Sequence, residues 1–325
     1  EICQSQGLKF IGPSPEAIEQ LGDKTKAKQL LRHTNVPTVP GTDEAIQSLE
    51  EAQRIAQSIG FPVLIKAASG GGGKGMRIVE RAEELENALR LAQSEALNAF
   101  KDARVFIEKY IASPRHIEFQ ILADNYGNVI HLGERECSIQ RRHQKIIEES
   151  PSPIMTQELR DRMGNAAVAV VRSAVYSNAG TVEFLVDENH NYYFLEVNTR
   201  LQVEHPVTEL VTGIDIVREQ IRIAEGENLR WKQSEINFHC HAIECRIYAE
   251  DPANNFFPST GKIQYLRSPN GVGVREDRGI EQGNEVTIYY DPMLAKLITY
   301  GENREIAIQR MIRALQEYHI DGVIT

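Results

Sequence analysis

From Glu183 to Glu204 the chain reads EFLVDENHNYYFLEVNTRLQVE, and from Glu196 onward every second residue is polar. Alternate side chains of an extended strand share a face. Read as one strand, the segment lines up Glu196, Asn198, Arg200, Gln202 and Glu204 on one side. Val197, Thr199, Leu201 and Val203 fall on the other. A two-residue turn at Asn189-His190 would pair Glu188 with Asn191, Phe184 with Leu195 and Glu183 with Glu196. Two carboxylates directly opposite each other are destabilising unless a cation lies between them. A bound divalent cation supplies that remedy, because hard cations take carboxylate and amide oxygens. The competing explanation is an edge hairpin with one solvated face.

The surrounding chain predicts an α+β architecture built from hairpins rather than from βαβ units. An apolar run Val63–Ala67, the glycine cluster Gly70–Gly75, a short run Met76–Val79, a helical period over 82–100 and a strand at Val105–Lys109 form one small module, residues 38–110. A boundary is expected near Ser113-Pro114. After it, His116–Ala123 and Val129–Arg135 flank Asp124-Asn125-Tyr126-Gly127-Asn128, a hairpin signal. Helices are expected at about 156–176, 215–225 and 304–317, with strands near 241–248, 263–266 and 294–299. Residues 111–325 therefore read as a larger, mainly antiparallel unit, and residues 1–37 as a remnant of a preceding domain with a helical linker.

Composition narrows the function classes. The 325 residues are 41% hydrophobic and 25% charged, as in ordinary globular domains. The formal net charge of −10 argues against a nucleic-acid surface, though not against a small anion in a local basic pocket. No apolar run approaches the roughly 20 residues of a membrane span. No basic-then-apolar leader opens the chain. Four cysteines without framework spacing suggest reduced thiols in an intracellular protein. His239-Cys240-His241 does not read as a zinc site, because on a strand Cys240 points away from both histidines.

Three further segments carry chemistry. Gly70-Gly71-Gly72-Gly73-Lys74-Gly75 is neither a dinucleotide fingerprint, which would lead into a helix, nor a Walker loop, which needs Ser or Thr after the lysine. A strand–glycine–strand loop can instead lay backbone N–H groups over phosphates. Lys66 and Lys109 each end an apolar strand and could converge on a nucleotide, with Glu108 accepting from an adenine amine. In Gln140-Arg141-Arg142-His143-Gln144-Lys145, an extended backbone would put Arg141, His143 and Lys145 on one face, able to hold an anion.

Together the stretches IKAASGGGGKGMRIV, EKYIASPRHIEFQILAD, ERECSIQRRHQKIIEE, EFLVDENHNYYFLEVNTRLQVEHPVTE, HAIECRIYAEDP and YYDPMLAKLITYG resemble the biotin carboxylase component of biotin-dependent carboxylases, a branch of the ATP-grasp fold. The resemblance covers nearly the whole chain, except that only Leu8–Ser14 matches the family's Rossmann-like N-terminal domain, as a final strand and turn. It implies an ATP-dependent ligase that activates bicarbonate as carboxyphosphate and carboxylates biotin on a carrier protein or domain. By position, Lys24, Lys66, Gly72, Gly73, Glu108, Lys109, Ile111, His116, Gln140 and His143 would bind ATP, together with Glu183 and Glu196. Glu183, Glu196 and Asn198 would bind Mg²⁺ or Mn²⁺, as two ions. Lys145, Arg200, Gln202, Val203 and Glu204 would hold bicarbonate, with Glu204 as general base, and Arg246 would stabilise the biotin enolate.

The resemblance also implies a homodimer, a biotin carboxyl carrier, a carboxyltransferase component and a cytoplasmic setting, with mitochondria or plastids as alternatives. Two other readings stand beside it. One is a different ATP-grasp ligase joining a carboxylate to an amine; the other is a nucleotide-binding or assembly module without turnover.

Overall fold

The computed structural model describes residues 2–22, 24–32, 34–42, 44–67 and 76–325, without the side chains of Gln4, Lys24 and Thr25. The chain opens with α1 (Ile2–Ser5), α2 (Pro15–Gly22) and α3 (Lys24–Leu31). Leu8–Ser14 forms no strand: no described neighbour pairs with it, and Leu8, Phe10 and Ile11 are exposed. An extended segment needs a ladder to be a strand.

A small three-stranded sheet follows. α4 (Leu49–Ile59) leads to β1 (Val63–Ala67), β2 (Met76–Val79), α5 (Leu85–Phe100) and β3 (Val105–Lys109), with strand order β2-β1-β3. Ser48 starts α4 by accepting the Glu51 N–H at 3.1 Å, satisfying one of the first-turn amides that a helix leaves open. Val63 and Ile65 of β1 and Val105 and Ile107 of β3 are buried against Ala52, Ala56, Leu85, Leu89 and Ala92 of the two helices. The glycine loop between β1 and β2, with Gly72 and Gly73, lies outside the described residues.

The larger unit contains β4 (Arg115–Ala123), β5 (Val129–Arg141), β6 (Gln144–Ser150), α6 (Gln157–Ser173), β7 (Asn178–Val186), β8 (Tyr192–Asn198), α7 (His205–Thr212), α8 (Ile216–Glu225) and β9 (His241–Tyr248). Beyond these come β10 (Glu250–Asp251), β11 (Phe257–Pro258), β12 (Gly261–Lys262), β13 (Tyr265–Arg267), β14 (Val274–Arg278), β15 (Glu285–Val286), β16 (Met293–Gly301), α9 (Arg304–Glu317) and β17 (His319–Asp321). Eight of the strands make one antiparallel sheet in the order β14-β16-β9-β6-β5-β4-β7-β8. This is the α+β, mainly antiparallel architecture expected from the hairpin signals.

Alternation decides which face of that sheet is dry. Ile117, Phe119, Val182, Phe184 and Phe194 pack with α2, α3 and α6, through Ala17, Leu21, Leu31, Met163 and Ala167. Phe184 meets Phe119 and Phe194 edge-on, at 6.2 and 6.4 Å between centroids. The intervening residues Glu118, Glu183, Arg135 and Lys145 must then face the other side. Toward the β14 edge, α9 covers Ile243, Cys245 and Leu297, leaving Glu244, Arg246 and Lys296 on that same polar face.

The quoted hairpin differs from expectation in two ways. Its turn spans Asp187–Asn191 rather than two residues: Asp187 Oδ1 accepts the N–H groups of Asn189 and Asn191, both at 2.9 Å, and His190 is left-handed at φ 60. A short acid capping its own turn offers the backbone a longer closure than the two-residue one. A bulge between Glu183 and Phe184 then re-sets the register, so Phe184 faces Phe194 and not Leu195, while Glu183 still opposes Glu196. In addition, β8 ends at Asn198. Residues 199–204 form the loop into α7, so the period-two stripe is a strand only as far as Asn198.

Candidate active site

Four ionisable side chains stand side by side across the sheet. Arg135 of β5 pairs with Glu118 of β4, Glu118 with Glu183 of β7, and Glu183 with Glu196 of β8. The first three are buried, at 0%, 0% and 3% exposure. Such a row is tolerable only when each charge has a partner. Arg135 supplies the deepest one: its Nε donates to Glu118 Oε1 at 2.5 Å, and its Nη atoms reach Gln120, Thr208, Thr181 and Gln202.

Lys145 enters the row from β6. Its Nζ donates to Glu118 Oε2 at 2.5 Å, to Glu183 Oε1 at 2.9 Å and to Glu204 Oε1 at 2.7 Å. Burial alone would lower the lysine's pKa; the carboxylates of Glu118, Glu183 and Glu204 outweigh it and hold the ammonium charged far above the usual range. Glu183 is the converse case. Burial would raise its carboxyl, but the hydrogen bond from His116 and the charge of Lys145 hold it far below the ordinary carboxylate value. His116 Nε2 lies 2.6 Å from Glu183 Oε2. Burial works against the imidazolium, and the bond to Glu183 more than compensates, so its pKa is raised.

The loop after β8 brings its polar residues back to this row although it is not a strand. Gln202 Nε2 donates to Glu183 Oε1 at 2.8 Å while its Oε1 takes the Arg135 guanidinium at 2.9 Å, which fixes the orientation of the amide. Asn198 Nδ2 also donates to Glu183 Oε1, at 2.8 Å. Glu204 is buried, with Oε1 on Lys145 and Oε2 3.1 Å from Arg246 Nη2. The Val203 carbonyl accepts from Lys296 Nζ at 2.8 Å. Arg200 is exposed, and its Nη1 donates to the Leu201 carbonyl at 3.1 Å. A cavity of about 380 Å³ opens here, lined by Gly22, Glu196, Val197, Asn198, Thr199 and Arg200.

The donor set fits a hard divalent cation. Two carboxylates in register and an adjacent amide present the oxygen chemistry such ions select. The like-charge juxtaposition of Glu183 and Glu196 is relieved by a positive charge there. Glu118 adds a third carboxylate, its oxygen within 4.8 Å of ligand atoms of both His116 and Glu183.

The residues expected to meet a nucleotide are partly assembled. Glu108 of β3 is bridged by Lys66 of β1 and by Lys28 of α3. Burial would raise the Glu108 carboxyl, and the two lysines bring it below its ordinary value. Lys109 faces the other way, onto the carbonyls of Gly60 and Phe61 at 2.9 and 3.1 Å. The expected convergence of Lys66 and Lys109 is therefore corrected: consecutive strand residues point to opposite faces, and the lysine beside Lys66 is Lys28. Ile111 lies two residues beyond the end of β3, half-buried. Lys24 opens α3, and its side chain, like Gly72 and Gly73, lies outside the described residues.

Gln140–Lys145 is not one continuous extended strand. Arg142 and His143 have φ of 52° and 66° and form a two-residue hairpin tip between β5 and β6, with Gln140 opposite Lys145. Arg141 turns away to Glu250 and lies over the Phe256 ring at 4.1 Å, while Lys145 points into the acidic row and His143 is exposed at the tip. Gln140 Nε2 lies 3.0 Å from His116 Nδ1. The tripartite anion face expected from alternation is therefore absent, because a turn with positive φ at two residues reverses the chain there. His241 meets Glu149 at 2.8 Å and Cys240 Sγ meets the Leu210 carbonyl, so the His-Cys-His string stays structural.

Sequence reasoning does not single out Glu118, Arg135, Lys28 or Lys296. For Glu118 a signal exists: His116, Glu118 and Gln120 alternate with Ile117, Phe119 and Ile121. Lys28 and Lys296 reach their partners over separations of 80 and 93 residues, which no local pattern encodes.

Known proteins resemble this chain in both sequence and fold. Residues 23–232 match the carbamoyl-phosphate synthase L chain ATP-binding domain, and residues 244–325 the biotin carboxylase C-terminal domain. Over its full length the chain is 57% identical to a pyruvate carboxylase component of Methanothermobacter thermautotrophicus, spanning 66% of that protein. It is 52% identical to biotin carboxylase 1 of Bacillus subtilis, spanning 72% of it. The biotin carboxylase domain of the Hydrogenobacter thermophilus 2-oxoglutarate carboxylase, a dimer solved with MgADP, ADP and bicarbonate, superposes with a TM-score of 0.91 at 50% identity, over 99% of this chain and 71% of that one. The chain belongs to the biotin carboxylase family, ATP-dependent ligases of the ATP-grasp fold.

Proposed function

We propose that this chain carboxylates biotin with bicarbonate and ATP, through carboxyphosphate. The observation that carries the reading is Lys145, whose one ammonium joins the metal-directed carboxylate Glu183 to the bicarbonate-directed carboxylate Glu204. In this arrangement Lys66, Glu108, Ile111, His116, Gln140 and His143, with Lys24 and the Gly72-Gly73 loop, surround ATP, while the Lys109 side chain stays on the carbonyls of Gly60 and Phe61. Glu183, Glu196 and Asn198 hold Mg²⁺, or Mn²⁺ in its place. The bound cation would neutralise phosphate charge during phosphoryl transfer.

Lys145, Arg200, Gln202 and the Val203 backbone hold bicarbonate, the arginine fork matching the planar anion. Glu204 accepts the bicarbonate hydroxyl proton, leaving an oxygen nucleophilic toward the γ-phosphorus, with ADP departing. Carboxyphosphate then breaks down to CO₂ and phosphate, and the phosphate takes the biotin N1′ proton. The deprotonated N1′ bonds to the CO₂ carbon, while Arg246, beside Glu204, stabilises the oxyanion that develops on the ureido group. Relatives named for pyruvate and for 2-oxoglutarate share this component, which suits a step preceding acceptor choice. The partners this implies are a biotin carrier domain, a carboxyltransferase and a second copy of the chain.

No described helix is long and apolar enough to cross a membrane, and all four cysteines are free. Free thiols suit a reducing compartment, with the cytoplasm as the proposed location and the interior of mitochondria or plastids as alternatives.

The test is Glu204→Gln. It is expected to bind ATP normally and to lose bicarbonate-dependent phosphate release in the presence of free biotin. Full turnover by that variant would sink the base assignment.

A further inference from the structure

Behind Arg246 lies a second pair of carboxylates. Glu148 of β6 and Glu244 of β9 are direct partners across the antiparallel ladder, and both are fully buried, at 0% exposure. Glu148 Oε1 accepts from Arg246 Nε at 2.7 Å. Glu148 Oε2 and both carboxylate oxygens of Glu244 have no hydrogen-bond partner among the described residues. The other charged or titratable groups around the pair are Lys296 on β16, Glu204 before α7, Glu118 on β4, Cys137 on β5 and, on β9 itself, Cys245 and Tyr248. Lys296 donates to the Val203 carbonyl and lies 3.4 Å from Asp277.

Two ionised carboxylates in register, beside one guanidinium already shared with Glu204, would leave a buried negative charge without compensation. Carboxyls in that position resolve the conflict by keeping a proton. Burial pushes Glu148 up to about 7 against the pull of Arg246. Burial, and then the neighbouring Glu148, push Glu244 well above the ordinary carboxyl value.

We propose that Glu148 is a positioning residue for the reaction, and that Glu244 opposite it is a neutral carboxylic acid, so that above neutral pH the pair carries one proton. This rests on the proposed role of Arg246. That guanidinium is planar, so seating its Nε on Glu148 fixes the plane in which Nη2 meets Glu204 at 3.1 Å. Below neutral pH the pair takes up its second proton, on Glu148, which then gives Arg246 up as an ionic partner. Activity therefore falls on the acid side.

The experiment compares Glu148→Gln, Glu148→Asp and Glu244→Gln with the wild type. Glu148→Gln is expected to lower bicarbonate-dependent kcat roughly 10- to 100-fold, the size seen when a group that holds a functional ligand in place is lost. Its KM for ATP stays unchanged and the acid limb of its pH profile flattens. Glu148→Asp, which keeps the charge, recovers part of the rate. Infrared difference spectra above neutral pH show a protonated-carboxyl band in the wild type that Glu244→Gln lacks. Wild-type kcat with an unaltered acid limb in Glu148→Gln, or loss of an ionised-carboxylate band in Glu244→Gln, would overturn the proposal. If Glu148→Gln does not fold, the aspartate kinetics and the infrared spectra decide it. A wild-type chain without bicarbonate-dependent turnover refutes the proposed function, whereas the infrared measurement reads the proton on Glu244 independently of turnover.

Discussion

Lys145 Nζ lies 2.7 Å from Glu204 Oε1. Among the described residues, this lysine is the one cation that touches three carboxylates of the site, Glu118, Glu183 and Glu204. Removing it leaves three buried negative groups with Arg135, Arg246 and His116 as cationic neighbours. Lys145→Gln is therefore expected to lose bicarbonate-dependent turnover and also to destabilise the fold by about 3–5 kcal/mol, the cost of breaking a buried pair. Denaturant midpoints check the second part, and an unchanged midpoint would contradict such a network.

Arg200 offers the opposite combination. It is exposed and donates to the adjacent Leu201 carbonyl, so Arg200→Ala is expected to move stability by no more than about 0.5 kcal/mol. Its loss of bicarbonate-dependent kcat should reach roughly 100-fold or more, as for removal of an oxyanion donor. Arg200→Lys should restore little, because an ammonium lacks the planar fork. Thermal melts beside steady-state kinetics separate the two effects.

Glu183 and Glu196 oppose each other across β7 and β8. Glu196→Gln is expected to raise the Mg²⁺ concentration needed for half-maximal turnover by roughly tenfold or more, about 1.4 kcal/mol of binding. Chelation should stop turnover and leave circular dichroism unchanged, since Glu183 already has His116, Lys145, Asn198 and Gln202 as donors. Melting of the fold on chelation would show a structural metal instead.

Acid stability should depend on Glu149. Burial would raise its carboxyl, but hydrogen bonds from His241 and Arg304 bring it below its ordinary value of 4.5. Its contribution is thus present above pH 4.5 and is lost as pH falls through the lower folded value. Glu149→Gln should narrow the stability difference between neutral and acid pH. Equal pH dependence in wild type and variant, read from urea midpoints, would remove Glu149 from the acid-sensitive set.

Much of this architecture is local and legible in the chain. Helix ends such as Ser48 before α4 and Asn303 before α9 carry caps that act within three residues, and the five-residue loop 124–128 sits between β4 and β5 where the turn residues place it. The opposition of Glu183 and Glu196 is also readable, although by a compensating pair of departures: a longer turn and a bulge return the strands to the register that a two-residue turn implies.

What the chain alone determined is its alternation, its caps and the identities of its charged groups, because these act over a few residues. The tertiary structure decided which charges meet. Lys28 and Lys66 find Glu108, Arg135 finds Gln202, and Lys145 leaves its hairpin neighbours to join Glu118, Glu183 and Glu204. Left-handed Arg142 and His143 reverse the backbone where alternation predicts extension, and β8 stops at Asn198 while its continuation folds back onto the same row. Those outcomes follow from burial of one sheet face against α2, α3 and α6: once the aromatic side is dry, every intervening charge is forced onto the other side, where it must find a partner from a distant strand.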